Sequence, residues 1–224
     1  SVEIKYARIF DRDYKDRYRD VHWYLQDWVC MAETDGLFTY VLLDNGTYGV
    51  KASNTSSDVS EITIPATYKG LPVTTIVENA FDGMTSLEKV IIQNGITSIE
   101  KYAFRDCSSL QKVHLNFNGG YIYNSFIGCS SITSLIISGE LKSVYDNAFS
   151  NSYMVKTVYL PKTVTNMTTS SFSYNTVMLV HKDSYAHTFA KNNGFMYFVL
   201  GETSNPEIAF GDSITGTITY TDGS

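Results

Sequence analysis

The chain has 224 residues, 43% of them hydrophobic, which is enough apolar material for a sizeable core. Its formal net charge is −6 at pH 7 and it has no run of basic residues, so we do not expect nucleic acid as a principal partner. No stretch reaches the ~18 consecutive apolar residues of a transmembrane helix, so we expect no membrane insertion by this segment.

Residues 1–36 carry an apolar stripe at helical spacing. Its members follow one another at steps of three or four residues: Tyr6, Phe10, Tyr14, Tyr18, Val21, Leu25 and Trp28. This spacing predicts an amphipathic helix. We interpret the helix as an N-terminal cap on the array that follows it in the chain, because the open end of a repeat array needs sealing. A partner-binding helix and the end of a preceding module are the alternatives.

Residues 37–72 predict a hairpin, a strand and a turn. Phe38–Leu42 and Tyr48–Val50 have the composition of strands, and the turn sequence Asn45-Gly46 lies between them. Residues 59–64 then alternate apolar and polar side chains, as a half-buried strand does. Residues 68–72 contain Gly and Pro and predict a small protruding turn.

A motif of 22 or 23 residues recurs between Val73 and Phe172. Each copy contains a small residue followed by phenylalanine, at Phe81, Phe104, Phe126, Phe149 and Phe172. In the first four copies, further apolar residues stand six, nine and eleven positions after the phenylalanine; in the first these are Leu87, Val90 and Ile92. A unit this short cannot bury its own apolar side, so the units must stack on one another.

The repeat predicts an α/β solenoid. The alternation from Val90 to Ile92 and its counterparts indicate short strands, which must lie parallel on successive coils, about 4.8 Å apart. The segment around each phenylalanine returns the chain along the opposite wall as a turn or a short helical piece. We expect the phenylalanines of neighbouring coils to stack into a spine.

Two of the three cysteines, Cys107 and Cys129, occupy the same position in consecutive units. A spacing of about 4.8 Å between coils falls within the Cα range of a disulfide. Parallel side chains on adjacent coils usually point the wrong way for that bond, however. We therefore predict buried free thiols.

Residues 177–200 predict a C-terminal cap of strand, helix and strand. The sequence Asp183-Ser184 begins the helix, with Asp183 as the favoured cap, and Asn193-Gly194 ends it. The stretch Phe195–Leu200 then returns as a strand.

Residues 201–224 change to a linker composition and then alternate like a strand, which suggests the start of a following β module. The repeat domain is accordingly assigned to residues 37–200. The chain begins without methionine or a signal peptide, and we expect it to be a piece of a longer, modular protein.

The pattern I-x-x-I-x-x-x-A-F-x-x-C-x-S-L-x-x-V-x-L, from Ile96 to Leu115, resembles the BspA-like leucine-rich repeat family. The likeness extends from about Leu37 to Leu200. It implies a leucine-rich repeat array, wound as a right-handed superhelix and capped at both ends. It also implies an extracellular, cell-surface protein that uses its repeats for adhesion.

The outward-facing residues of the predicted strands form the candidate binding surface, because alternate side chains of a strand point away from the core. They are Lys89, Ile91, Gln93, Lys112, His114, Asn116, Ser134, Ile136, Ser138, Thr157 and Tyr159. One interpretation is a mixed basic and apolar patch that binds a protein or glycan on a host or neighbouring cell. The other, equally weighted, is a solvated sheet face.

No sequence motif indicates catalysis or a cofactor. His181, Asp183 and His187 lie close together in sequence, but their spacing does not favour a metal site. We therefore favour a non-enzymatic interaction module over a structural or accessory domain of a larger secreted enzyme. An enzyme in its own right is the least favoured hypothesis.

Overall fold

The computed structural model describes residues 33–53, 58–145, 147–149, 152 and 154–200. The predicted N-terminal helix and the segment 201–224 lie outside the described residues. In chain order the strands are β1 (Glu33–Thr34), β2 (Phe38–Leu42), β3 (Tyr48–Ala52), β4 (Glu61–Ile64), β5 (Thr67–Tyr68), β6 (Leu71–Ile76), β7 (Lys89–Ile92), β8 (Ser98–Ile99), β9 (Lys112–Phe117), β10 (Tyr121–Ile122), β11 (Ser134–Gly139), β12 (Ser143–Val144), β13 (Thr157–Tyr159), β14 (Asn166–Met167), β15 (Val177–His181) and β16 (Met196–Leu200).

The main sheet runs β4-β7-β9-β11-β13-β15-β16, and all its neighbouring strands are parallel. The register pairs Val90 with Val113, Val113 with Leu135, and Leu135 with Val158. These are the residues that the repeat places in one column, and all of them are buried. The predicted strand wall is therefore confirmed.

The opposite wall consists of turns and strands, and from β8 onward these strands are only two residues long. β10, β12 and β14 form a three-stranded parallel sheet, while β3, β6 and β8 lie parallel to one another within a six-stranded mixed sheet that also contains β1, β2 and β5. Among the described residues the one α-helix is α1 (Tyr185–Asn192), and Thr169–Ser171 forms a short 3₁₀ turn. The described part is thus a parallel-strand β-solenoid with little helix. The α/β class is not confirmed, and the handedness of the superhelix stays a prediction.

The phenylalanine spine runs through the core between the two walls. Successive ring centroids lie 5.0, 4.8, 5.2 and 5.6 Å apart from Phe81 to Phe172, with interplanar angles of 9°, 4°, 16° and 19°. All five side chains are buried. Stacked aromatic pairs contribute about 0.5–1.5 kcal/mol each beyond the burial of their area, so the spine couples every coil to the next.

Before four of the five phenylalanines, a residue in the left-handed backbone conformation turns the chain toward the stacked rings. Asn79, Tyr102, Asn124 and Asn147 stand two residues before a phenylalanine, with φ between 53° and 61°. Asparagine tolerates this conformation better than most residues. The turn lets main-chain groups bond from coil to coil, as where Phe104 N donates to Ser125 O at 2.8 Å.

The two cysteines in this region are buried free thiols, as predicted. Cys107 Sγ donates to Phe81 O at 3.1 Å, and Cys129 Sγ donates to Phe104 O at 2.9 Å. Each thiol therefore bonds to the main chain of the preceding coil. The hydrogen bond with Cys107 and burial raise the pKa of Cys129, so its thiol stays protonated.

The N-terminal part of the array follows the predicted order. β2 and β3 form an antiparallel hairpin, closed by a turn in which Gly46 has a φ of 78°. β5 and β6 form a second hairpin with Lys69-Gly70 at its tip, which is the predicted protruding turn.

At the C-terminal end, helix α1 lies between β15 and β16. Its N-cap is Ser184, whose Oγ accepts from His187 N at 3.1 Å, so the prediction that favoured Asp183 as the cap is wrong. Asp183 instead adopts a φ of 58° just before the cap. The helix ends before Asn193-Gly194, as predicted, and Gly194 has a φ of 74°.

Replacing Phe104 by alanine should destabilise the solenoid by about 3–5 kcal/mol, because it leaves a cavity between two stacked rings. Urea unfolding followed by circular dichroism measures the loss. The replacement of Phe104 by leucine, which refills most of the volume, should cost clearly less. Equal losses for the two variants would show that the ring stack is not what holds the coils together.

A second prediction concerns Asn79, an exposed residue in the left-handed backbone conformation. Its replacement by alanine should lower the free energy of unfolding by about 1 kcal/mol, because a Cβ-bearing residue without a short polar group is strained at this φ. Glycine at the same position adopts the conformation without strain and should be better tolerated. Urea unfolding of the pair tests this, and an alanine variant as stable as the glycine variant would contradict it.

Candidate functional site

The outward face of the main sheet places the predicted binding residues side by side. One row contains Lys89, Lys112, Ser134 and Thr157, which are consecutive partners in the register. The next row contains Ile91, His114, Ile136 and Tyr159, and the third places Asn116 beside Ser138. The parallel register therefore brings together the residues that the repeat predicted to be neighbours.

Charge on this face is arranged to limit repulsion. Lys89 and Lys112 are register partners, which by itself is unfavourable. Lys89 Nζ, however, forms an ion pair with Glu61 Oε2 at 3.0 Å, from the preceding strand. The Lys112 side chain is exposed, so it presents positive charge to solvent.

The middle of the face is polar and partly buried. His114 Nε2 lies 3.3 Å from Ser138 Oγ, and Ser138 Oγ donates to Leu115 O at 3.3 Å. Burial lowers the pKa of His114, which keeps the imidazole neutral at pH 7. Gln93 lies at the end of its strand, where its Oε1 accepts from Ala66 N at 3.2 Å. These hydrogen bonds hold the polar side chains in fixed positions.

Ile136 and Tyr159 do not belong to an exposed patch, and this part of the prediction is wrong. Ile136 is 9% exposed and Tyr159 only 2%. They form a second apolar cluster with Leu179, against which Phe198 and Leu200 pack. The reason is that β15 and β16 extend the sheet and carry large apolar side chains on its outward face. Ile91, which is partly exposed, is the apolar residue of the predicted set that remains accessible.

His181 completes this second cluster with a polar contact. Its Nε2 lies 2.9 Å from Tyr159 Oη, and the histidine is 4% exposed. Burial, together with the positive charge of Lys162, lowers the pKa of His181. A neutral imidazole is therefore part of the folded state.

The histidines and the aspartate near α1 have separate partners. His181 contacts Tyr159, whereas His187 Nδ1 accepts from Asp183 N at 3.2 Å. Within the described part of the chain, no three His, Cys, Asp or Glu side chains come close enough together to hold a metal ion. In the same residues, no helix has both the length and the apolar character of a membrane span.

Three exposed tyrosines on the opposite wall are functional candidates that the repeat pattern does not reveal. Tyr121, Tyr123 and Tyr145 are 59%, 45% and 37% exposed. The sequence signal was the alternation Tyr121-Ile122-Tyr123, in which the central residue is buried and its neighbours are not. It is a short signal, because the strands of this wall are only two residues long.

Stacked coils, a parallel strand wall and an aromatic spine define a leucine-rich repeat solenoid. The family model described as the BspA-type leucine-rich repeat region matches residues 51–178 in six copies. The chain belongs to this family. No curated protein matches the sequence.

Several solved structures resemble the chain, all at low sequence identity. A leucine-rich repeat protein of T. pallidum is 20% identical with a TM-score of 0.55, over 66% of this chain and 71% of that one. One from Bacteroides ovatus is 22% identical with a TM-score of 0.48, over 66% and 43%. A leucine-rich cell-surface protein of Faecalibacterium prausnitzii is 23% identical with a TM-score of 0.41, over 66% and 54%. The chain thus spans about half of the last two proteins.

The lowered pKa of His181 predicts that the free energy of unfolding depends on pH. Because the pKa of His181 is lowered in the folded protein, the unfolded chain binds the proton first as the pH falls. The free energy of unfolding should therefore decrease between about pH 7.5 and about pH 5.5, the range in which an unperturbed histidine titrates. Urea unfolding across this range should show a shallower decrease for His181→Gln than for the unchanged protein. An identical decrease in both would show that His181 does not contribute.

Proposed function

We propose that the chain is a non-enzymatic interaction module of a cell-surface protein, of the adhesion type. In this proposal the array is a right-handed superhelix capped at both ends, and it lies outside the cell. The partner is a protein or glycan on a host or neighbouring cell. Membership of the BspA-type leucine-rich repeat family supports the proposal, because repeat arrays of this kind present extended surfaces to partners.

The binding surface in this proposal is the polar sheet face, defined by the outward residues that stay accessible: Lys89, Ile91, Gln93, Lys112, His114, Asn116, Ser134, Ser138 and Thr157. The observation that carries the proposal is their arrangement in register across parallel strands. Positive, amide and hydroxyl groups follow one another at strand spacing. Such rows suit a partner that offers several hydrogen-bond acceptors, including carboxylates.

Rigidity is the second support for this surface. Each strand is fixed by its neighbours in the sheet and by the buried columns beneath it. A backbone held in this way does not need to be ordered when a partner binds, and this lowers the cost of association. Membership of a repeat family and this rigid polar surface fit binding better than catalysis.

A charge reversal tests the polar sheet face. A protein and glycan array probed with the purified chain identifies a ligand, and its dissociation constant is then measured for Lys112→Glu. We expect about tenfold weaker binding, because an exposed cation on the contact surface is replaced by an anion. The matched control is Lys191→Glu, which reverses the charge of an exposed lysine in the last turn of α1 and should leave binding unchanged.

Unchanged binding by Lys112→Glu would remove the polar sheet face from consideration. A catalytic module elsewhere in the full-length protein would instead favour the alternative, a structural or accessory domain of a larger secreted enzyme.

A further inference from the structure

A groove of about 430 Å³, partly open to solvent, lies on the wall opposite the main sheet. Its lining includes Glu78, Glu100, Lys101, Tyr121 and Tyr123. The groove spans neighbouring coils, those of β8 and β10. It shares no residue with the polar sheet face.

A break in the small sheets accompanies the groove. β8 pairs with β6 and β10 pairs with β12, but within the described residues β8 and β10 do not form a ladder. Gly119 lies so close to its surroundings that an added Cβ would be 2.1 Å from the Phe117 ring and 2.3 Å from Thr97 O. Gly120 then lines the groove without a side chain. Gly119 is thus filled in by the Phe117 ring, whereas an added Cβ at Gly120 would meet nothing within 4 Å, so Gly120 is the glycine that leaves open space.

Tyrosine rings border this space. Tyr121 is 59% exposed, and its ring centroid lies 6.0 Å from that of Tyr145 on the next coil. Neither ring is needed for the core, because the adjacent residues Ile122 and Val144 are fully buried in it. A tyrosine side chain presents an apolar face with a polar tip. This combination is common at interfaces, where one end of the side chain contacts an apolar surface and the other contacts water.

Charged groups stand at fixed points around the rings. Glu100 Oε2 accepts from Glu78 N at 2.8 Å, so the main chain of one coil positions the carboxylate of the next. Lys101 Nζ lies 4.4 Å from the centre of the Tyr102 ring. Tyr102 is the aromatic one of the four left-handed residues that precede the phenylalanines, and the three others are asparagine. The same ring lies 4.9 Å from the Arg105 guanidinium, so one aromatic residue in a strained conformation contacts two cations.

The chemistry of the lining selects among classes of ligand. Two carboxylates and one ammonium leave a net charge of about −1, which does not favour a polyanion. The groove is partly open and its lining is more polar than apolar, unlike the enclosed apolar pockets that hold the anchor residues of peptides. A sugar ring matches this lining. Its apolar C–H face can pack on a tyrosine ring, and the hydroxyl groups around it can form hydrogen bonds with carboxylates and an ammonium.

We infer that this groove binds a neutral glycan built of hexoses. One sugar ring lies against Tyr121, and its hydroxyl groups donate to Glu78 and Glu100 and accept from Lys101. Tyr123 and Tyr145 extend the platform on either side. This site is independent of the polar sheet face.

Titration of three hexaoses into the isotopically labelled chain, followed by NMR, tests the inference. The probes are cellohexaose, maltohexaose and mannohexaose, which differ in linkage and in the orientation of their hydroxyl groups. At least one should shift the amide resonances of Gly120 and Tyr121. Tyr121→Ala should weaken its binding about tenfold, whereas Tyr121→Phe, which keeps the ring, should bind nearly as well as the unchanged chain.

Two control variants show whether the loss of binding is confined to the groove. Tyr174→Ala removes a tyrosine that is 63% exposed but stacks on Phe195, away from the groove, and should leave binding unchanged. Lys112→Glu should also have no effect, so that this site and the polar sheet face can fail separately. The inference is overturned if none of the three hexaoses binds, or if Tyr121→Ala binds as well as the unchanged chain. Shifts at Gly120 with a lysine- and arginine-rich decapeptide, and not with any hexaose, would assign the groove to peptides instead.

Discussion

The structure depends on one constraint, which is that every coil must stack in register on the next. The stacked phenylalanines and the buried columns of the main sheet satisfy it with apolar contacts. Main-chain hydrogen bonds between coils, such as that from Phe104 N to Ser125 O, satisfy it with polar ones. Because both kinds of contact repeat at the same interval, stability is built from nearest-neighbour interfaces along one continuous core.

This periodicity explains how much of the fold the sequence predicts. Val90, Val113, Leu135 and Val158 can be placed in one column by counting, and the register confirms it. Counting also places the polar sheet face, because residues between buried positions must point outward. It does not predict how accessible an outward residue is. Tyr159 is buried because β15 and β16 bring Leu179 and Phe198 beside it, and these two strands belong to the aperiodic end of the chain.

The opposite wall was harder to predict for a different reason. Its two-residue strands produce at most a single alternation, such as Tyr121-Ile122-Tyr123, so the sequence indicates little beyond turns. The left-handed asparagines at positions 79, 124 and 147 were the available signal. Asparagine at a fixed place before three of the five phenylalanines indicates a constrained corner, and such a corner directs the chain back across the spine.

Departures from the repeat are therefore the places where function is best sought, since stacking already accounts for the regular positions. Three departures lie close together in the third unit and the corner before it: the 22-residue interval, the Gly119-Gly120 pair, and Tyr102 in a column of asparagines. Gly119 allows the buried Phe117 ring to pack closely, but Gly120 and Tyr102 do not improve the packing of coils, and Tyr102 carries backbone strain. All three lie in or beside the groove on the opposite wall. The regular coils thus supply a rigid support, and the irregular ones supply a concave surface whose side chains are free to differ from those of the repeat.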